Sequence, residues 1–362
     1  MQKDDEVRDV REIRINPIVP TESVLVSTAR GMRPKKTEQP YRPDKAVRVD
    51  NCPFCRGNEE KTPLSIISYP DEVNWQMRIV ENLFPVLADK STQPSFSFGL
   101  QQTIDGYGRH EVVIDHNEHG ISLHEMSVEH IKQLFLMYQH RINELYKSDN
   151  RLQCVLLFKN YGPAAGGSIA HTHSQIIAMP VVPQNIASEI SHSYEYYQKH
   201  HHCIFCTLID EALSYEATIY DKQSGKVRRK IDVGQYVIEK TKHFIAIKPF
   251  ASRYEWEVHL LPLAHQAEFL TVSEEQLEDF SVLLKNTMTR LDNILGGVQY
   301  NFFLHSLPHF EESNNRMQSY HWHLEICPRT SIPTGFELGS GLFVNSISPE
   351  LAAEALRNVV IP

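Results

Sequence analysis

Residues 160–175 read NYGPAAGGSIAHTHSQ. A glycine-rich loop runs directly into two histidines, His171 and His173, with Gln175 two positions further on. The apolar run CVLLF (154–158) precedes the loop and IIAMPVV (176–182) follows it. Both runs are rich in branched apolar residues and too short for most helices, so they predict buried strands. Side chains alternate along a strand, which turns His171, His173 and Gln175 to one face. The small residues Gly162, Ala164, Ala165, Gly166, Gly167 and Ser168 let backbone N–H groups approach an anion closely. A neutral imidazole held in one tautomer is a competent nucleophile toward phosphorus. The stretch predicts a place where a phosphate is held and attacked. A lone H-x-H is more often two unrelated histidines, so the weight falls on its context.

That context is a repeat. Four of the six cysteines form two C-x-x-C pairs, Cys52/Cys55 in CPFC and Cys203/Cys206 in CIFC. His171 follows Cys55 by 116 residues; His321, the first histidine of HWHLE, follows Cys206 by 115. Between those ends each half places a further histidine after an apolar run, His119 in VVIDHNEH and His265 in VHLLPLAH. Each half then has a long amphipathic stretch, 127–147 and 273–295, that opens on serine with acidic residues close behind. Agreement at four positions implies two copies of one α+β unit, an antiparallel sheet with a helix across one face. The boundary falls within the polar, aromatic segment 183–202, which predicts a helix and gives domains 1–190 and 191–362. The tract 221–232 predicts a charged hairpin or loop. The segment 21–51, rich in Arg, Lys and Pro, predicts irregular chain.

Two thiolates and two imidazoles make a tetrahedral zinc site. The first half offers Cys52, Cys55, His119 and His171; the second offers Cys203, Cys206, His265 and His321. Four ligands close such a site, so the metal is structural, and it fixes the strand that presents His173. His116, His124 and His243 compete, but only His119 and His265 match between the halves. The halves differ where chemistry would demand it. The second H-x-H has no glycine loop before it, and Glu325 stands where the first has Gln175. A carboxylate facing a phosphate is repulsive, so the second half predicts a degenerate site.

The 362 residues suffice for about two domains. The net charge of −9 argues against nonspecific nucleic-acid binding. No uninterrupted apolar run of about 18 residues occurs, so no membrane span is expected. The opening residues are charged and lack the apolar core of a secretory leader. A cytoplasmic protein is the simplest expectation.

The segments CPFCRGNE, RIVENLFPVL, HEVVIDHNEH, FKNYGPAAGGSIAHTHSQIIAMPVVP, CIFC, YNFFLH, YHWHLEICPR and GFELGSGLFVN resemble the galactose-1-phosphate uridylyltransferases of the histidine triad superfamily. The likeness runs from about Arg14 to the C-terminus. It implies two tandem histidine-triad-like domains and a ping-pong exchange. His173 attacks the α-phosphorus of UDP-glucose, and galactose 1-phosphate then takes the uridylyl group from the histidine. The resemblance further implies that Gln175 donates to a phosphoryl oxygen, that Ser168, Gly166 and Gly167 hold a phosphate, and that Asn160 shapes the loop. It puts Arg30 and Arg33 on a phosphate and Asn82 and Phe84 on the uridine side. It also has Glu337, Gly339 and Gly341 closing over the sugar in a neighbouring subunit, hence a homodimer. Thr172 departs from the proline that many uridylyltransferases carry between the two histidines. Thr or Ser there also occurs in relatives acting on adenylyl substrates, such as ADP-glucose phosphorylase. An adenylyl transferase or phosphorylase, using ADP-glucose or a dinucleoside polyphosphate, therefore stays open beside the uridylyl reading. Hydrolases of the superfamily usually carry a histidine at the place of Gln175. An amide cannot act as a general acid, which favours transfer over hydrolysis.

Overall fold

The computed structural model describes residues 10–32, 41–90, 95–308 and 314–361. Ten strands form one sheet. In chain order they are β1 (Ser65–Tyr69), β2 (Met77–Glu81), β3 (Arg109–Ile114), β4 (Cys154–Tyr161), β5 (His173–Met179), β6 (Val237–Lys240), β7 (Phe244–Ile247), β8 (Val258–Pro262), β9 (Tyr300–His305) and β10 (His323–Pro328). Across the sheet the order is β1-β2-β3-β5-β4-β9-β10-β8-β7-β6. Every neighbouring pair is antiparallel.

The first five strands and the last five are laid out alike, back to back about the β4–β9 seam. Phe158 lies opposite Gln175 on β5, and Phe303 lies opposite Glu325 on β10. At the seam Phe158 pairs with Phe303. Each half thus meets the other through its own equivalent residue, and the pairing leaves neither β4 nor β9 as an open edge.

The two long helices are α1 (Val128–Ser148) and α4 (Glu274–Leu295). Ser127 caps α1 by accepting from the His130 N–H, and Ser273 with Gln276 makes a full capping box at the start of α4. Gly296 ends α4 in the left-handed region at φ 67°. The two helices pack against each other, with the Phe135 and Phe280 rings 5.0 Å apart, in a core that draws on both halves of the sheet. Between them α2 (Gln184–His200) links the halves where a helix was expected, and α3 (Ile204–Ser214) follows at once.

Two expectations shift and a third is sharpened. The sequence predicts a strand that carries both histidines and runs on to Val182; the ladder of β5 begins at His173 and stops at Met179, so His171 lies just ahead of it. Pro180 lacks the N–H to continue, and at the other end pairing with β3 carries the strand back to His173. Within 21–51, residues Ser23–Ser27 form a strand that pairs antiparallel with Arg11–Ile15 and parallel with Phe343–Asn345. Its alternating Val24 and Val26 are buried, a short period-two signal hidden among basic residues. The N-terminal chain is therefore fastened to the C-terminal part. The tract 221–232 is a hairpin whose strands are Glu216–Tyr220 and Val227–Asp232. Among the described residues no helix is long and apolar enough to cross a membrane.

Candidate active site and metal centres

Four donor atoms converge beside the start of β5. Cys52 Sγ lies 3.6 Å from His171 Nδ1, and Cys55 Sγ lies 3.5 Å from both His119 Nδ1 and His171 Nδ1. A zinc ion with ordinary Zn–S and Zn–N bonds in a tetrahedron separates S from N by about 3.6 Å, so this spacing fits. The orientation fits as well. His171 turns Nδ1 to the sulfurs and donates from Nε2 to the His116 carbonyl at 2.7 Å. A backbone carbonyl only accepts, so the tautomer is set for metal binding. Burial lowers the His171 pKa to about 4, and the ring offers a lone pair rather than a proton.

The second set repeats the plan. Cys206 Sγ lies 3.4 Å from His265 Nδ1 and 3.7 Å from His321 Nδ1. Their Nε2 atoms donate to the carbonyls of Met317 and Pro262, each at 2.8 Å. Both foursomes, with Cys203 in the second, have all their ligand atoms within 4.8 Å of one another. The shared phenylalanine of CPFC and CIFC has a further use. Phe54 packs against His173 and Phe205 against His323, each with ring centroids 5.2 Å apart.

His173 is buried and its Nδ1 lies 2.8 Å from the His171 carbonyl. Nδ1 must therefore carry the proton, which leaves the lone pair on Nε2. Burial holds the ring below the ordinary histidine range, against the opposing pull of that carbonyl, so it is neutral near pH 7. Among the described residues Nε2 carries no protein hydrogen bond. Gln175 sits two residues on, opposite Val112 of β3. Its Oε1 lies 2.8 Å from His110 Nε2. The Val86 N–H donates to His110 Nδ1 at 3.2 Å, so Nε2 bears the His110 proton and donates to Gln175. The carbonyl end of the amide is occupied, and its NH₂ is left to face a ligand.

The glycine loop begins at Gly162 (φ 87°) and turns through Gly166 (φ 81°). A Cβ on Gly167 would stand 2.8 Å from the Asn160 carbonyl, so only glycine fits there. Asn160 and the loop are braced from the other half. Asn301 of β9 donates to Asn160 Oδ1 and to the Ala165 carbonyl, each at 2.8 Å, and the Ala164 N–H donates to Gln299 Oε1 at 2.8 Å. Ser168 and Gly166 are exposed on the loop, and Gly167 is half-buried.

The remaining predicted residues divide into two places. Asn82 and Phe84 belong with His110: the Asn82 N–H donates to the His110 carbonyl at 2.9 Å, and Phe84 is exposed beside it. Arg30 and Glu337 instead line a separate pocket of about 240 Å³ with Thr334, Phe343 and Ser346. Glu337 caps its own short helix by accepting from the Thr334 N–H and hydroxyl, and Gly341 ends that helix at φ 70°, with Gly339 exposed between them. Arg33 lies outside the described residues.

Sequence reasoning missed His110, Asn301, Gln299 and the two phenylalanines. His110 was legible in principle, as a polar residue sharing a strand face with Val112 and Ile114. The braces were not, because nothing local marks a contact across more than a hundred residues.

A model of the family described as galactose-1-phosphate uridyl transferase, N-terminal domain, matches residues 1–183. The chain belongs to that family. ADP-glucose phosphorylase of Arabidopsis thaliana is 31% identical over 96% of this chain and 93% of its own. Galactose-1-phosphate uridylyltransferase of Thermotoga maritima is 27% identical over 97% of this chain and 99% of its own. The crystal structure of the Arabidopsis phosphorylase with bound ADP-glucose superposes with a TM-score of 0.80 at 28% identity, covering 97% of this chain and 100% of that one. As a uridyl transferase family member the chain is a nucleotidyltransferase or phosphorylase acting on sugar nucleotides.

The matching strand order of the two half-sheets makes the second half informative. His323 occupies the place of His173, with Nδ1 3.1 Å from the His321 carbonyl. Glu325 replaces Gln175 and pairs with Arg253 at 3.0 Å. Glu257 takes the place of His110 and lies 2.9 Å from His259. Glu189 of α2 receives a hydrogen bond from Tyr320 at 2.8 Å and lies 3.1 Å from His305. His323, Glu325, Arg253, Glu257 and Glu189 line a cavity of about 490 Å³ together with apolar residues such as Ile18, Ile204 and Leu208.

Proposed function

We propose that the protein moves a nucleotidyl group from a nucleoside diphosphate sugar to a phosphate-bearing acceptor through a covalent bond to His173. The observation that carries this is the fixed tautomer: Nδ1 is committed to the His171 carbonyl and Nε2 presents its lone pair beside the Gln175 amide and the glycine loop. In the first step Nε2 attacks the α-phosphorus, and the bond from that phosphorus to the bridging oxygen breaks. The sugar 1-phosphate leaves with the oxygen and the electron pair. A phosphate oxygen of the acceptor then attacks the same phosphorus and displaces the neutral imidazole. Gln175 NH₂ meets the charge on the nonbridging oxygens in the transition state, with Ser168 on the loop beside it. The Gly166 and Gly167 N–H groups already donate to the Pro163 and Gly162 carbonyls, each at 3.0 Å, so those glycines shape the loop rather than bind through their amides. Zinc, when bound, supplies no reacting group; it holds the thiolates and imidazoles of each foursome together. The catalytic domain is taken as residues 1–190 and the second domain as 191–362.

ADP-glucose with inorganic phosphate as acceptor is the favoured pair, since the Arabidopsis ADP-glucose phosphorylase is 31% identical over 96% of this chain and Thr172 replaces the uridylyltransferases' usual proline. Exchange between UDP-glucose and galactose 1-phosphate is the second reading, supported by the matching family model and the Thermotoga relative. The Arg30–Glu337 pocket has none of His110, His173 or Gln175 in its lining, and that separation, with the exposed Phe84, Phe336 and Leu338, supports a homodimer in which that segment serves the partner's site. Intact-mass measurement after separate incubation with ADP-glucose and UDP-glucose tests the chemistry. An adenylyl adduct lost in His173→Gly supports the favoured reading, a uridylyl adduct selects the second, and no adduct from either sinks both.

A further inference from the structure

We propose that Lys159, with Asp115 and Thr172, is a positioning group that locks the backbone of residues 171–173 from behind and so fixes the carbonyl that sets the His173 tautomer. This rests on the nucleotidyl-histidine reading. Lys159 on β4 is fully buried. Its ammonium donates to the Asp115 carboxylate, to Thr172 Oγ1 at 2.7 Å and to the His173 carbonyl at 3.0 Å. Asp115 directly follows β3. It accepts from Ser174 Oγ at 2.8 Å and Tyr138 OH at 3.2 Å, and its N–H donates to the Thr172 carbonyl at 3.2 Å. Three successive carbonyls are thereby engaged: His171 by the nucleophile's own ring, Thr172 by Asp115, and His173 by Lys159. The imidazole cannot lose its Nδ1 partner unless this backbone moves.

The second half shows that the fold does not need such a cluster. Leu304 stands where Lys159 does, one residue past the seam phenylalanine, and Trp322 and Leu324 replace Thr172 and Ser174. Pro262 ends β8 where Asp115 follows β3, and Leu284 of α4 takes the position of Tyr138. All five are buried. A buried ion pair costs desolvation, and apolar packing of similar volume commonly replaces one without loss of stability. The same backbone is therefore held by apolar packing in one half and by an ammonium in the half that presents the nucleophile.

The test separates hydrogen bonding from packing. Thr172→Val keeps the side-chain shape and removes the hydroxyl; Thr172→Ser keeps the hydroxyl and removes the methyl. Thr172→Val should slow single-turnover formation of the nucleotidyl-histidine by roughly 10- to 100-fold, while KM changes by less than about twofold. Thr172→Ser should stay within about twofold of the parent rate. Lys159→Met/Asp115→Asn should slow the same step with zinc content unchanged. The tautomer has its own readout: ¹⁵N NMR of the histidine rings should show the His173 proton partly moved to Nε2 in Thr172→Val. The idea is overturned if Thr172→Val matches the parent, if Thr172→Ser is the slower of the two, or if the rates merely follow loss of zinc or of unfolding temperature. Should the parent form no adduct from either donor, the functional reading fails, and the ring spectra alone decide the positioning role.

Discussion

His173 and His323 stand on equivalent strands, each backed by the phenylalanine of a C-x-F-C motif and each with Nδ1 turned to the carbonyl two residues earlier. Their surroundings oppose one another. In the first half burial wins, and His116, His130 and His173 are all held below the ordinary histidine range. In the second half burial pulls the same way, but carboxylates outweigh it. Glu325 and Glu257 hold His259 above the usual value, and Glu189 does the same for His305. Identical backbones thus carry a neutral imidazole with a free lone pair in one place and a lattice of paired charges in the other. The difference comes from which neighbours are acids, not from the strand.

The largest expected effect tests whether the chemistry is confined to one half. His173→Gly should lower transfer by on the order of 10⁴-fold or more, while His323→Gln should still yield the nucleotidyl adduct by mass. Adduct in the first variant and none in the second would reverse the assignment. Next, the second half's residue can be imposed on the first. Gln175→Glu should cost roughly 10²- to 10³-fold in the rate of adduct formation, the scale of losing one oxyanion donor. Glu325→Gln should leave that rate alone, and equal losses in both would break the contrast. Third, the metal centres can be separated. Cys55→Ser should remove one zinc per chain and slow transfer by roughly 10- to 100-fold, because the loosened His171 carries the carbonyl that orients His173. Cys206→Ser should remove the other zinc and lower the unfolding temperature with less effect on rate. Metal analysis beside steady-state kinetics decides it.

The smallest effect concerns acid. His116 falls from 6.5 to about 4 on folding, through burial and then His130, so its stabilising contribution is complete above 6.5 and fades as pH falls toward 4. His259 and His305 are raised, so theirs is present below 6.5 and fades as pH rises through their folded values. Acidification from neutral should therefore reduce hydrogen-exchange protection in β3 and β5 by on the order of 1 kcal/mol relative to β8 and β10. Uniform loss across the sheet would remove the electrostatic part of the comparison.

Much of this was legible from residue spacing. The two cysteine–histidine foursomes, the capped helices and the glycine loop followed from motifs that local chemistry demands. The seam did not: apolar strands announce burial but not which strand they will meet. Lys159 was hidden for a related reason, since a lysine beside an apolar run reads as the place where a strand reaches water. Only its partners, Asp115 after β3, Thr172 before β5 and the His173 carbonyl, reveal that it points inward. Arg30 and Glu337 could be matched to a ligand by resemblance, yet the fold of one chain gathers them into a pocket of their own.

The pairing of Phe158 with Phe303 makes the two halves mutually indispensable in a way that neither sequence nor metal content suggests. A chain severed within α2 would leave each piece with a raw row of unsatisfied amide and carbonyl groups along its innermost strand. For the amino-terminal piece the nearest complement is another copy of itself, with Phe158 set against Phe158. Such a fragment should sediment as a dimer, yet its phosphate loop would lack the Asn301 and Gln299 props. In engineering terms, the carboxy-terminal half is a buttress on which the loop leans.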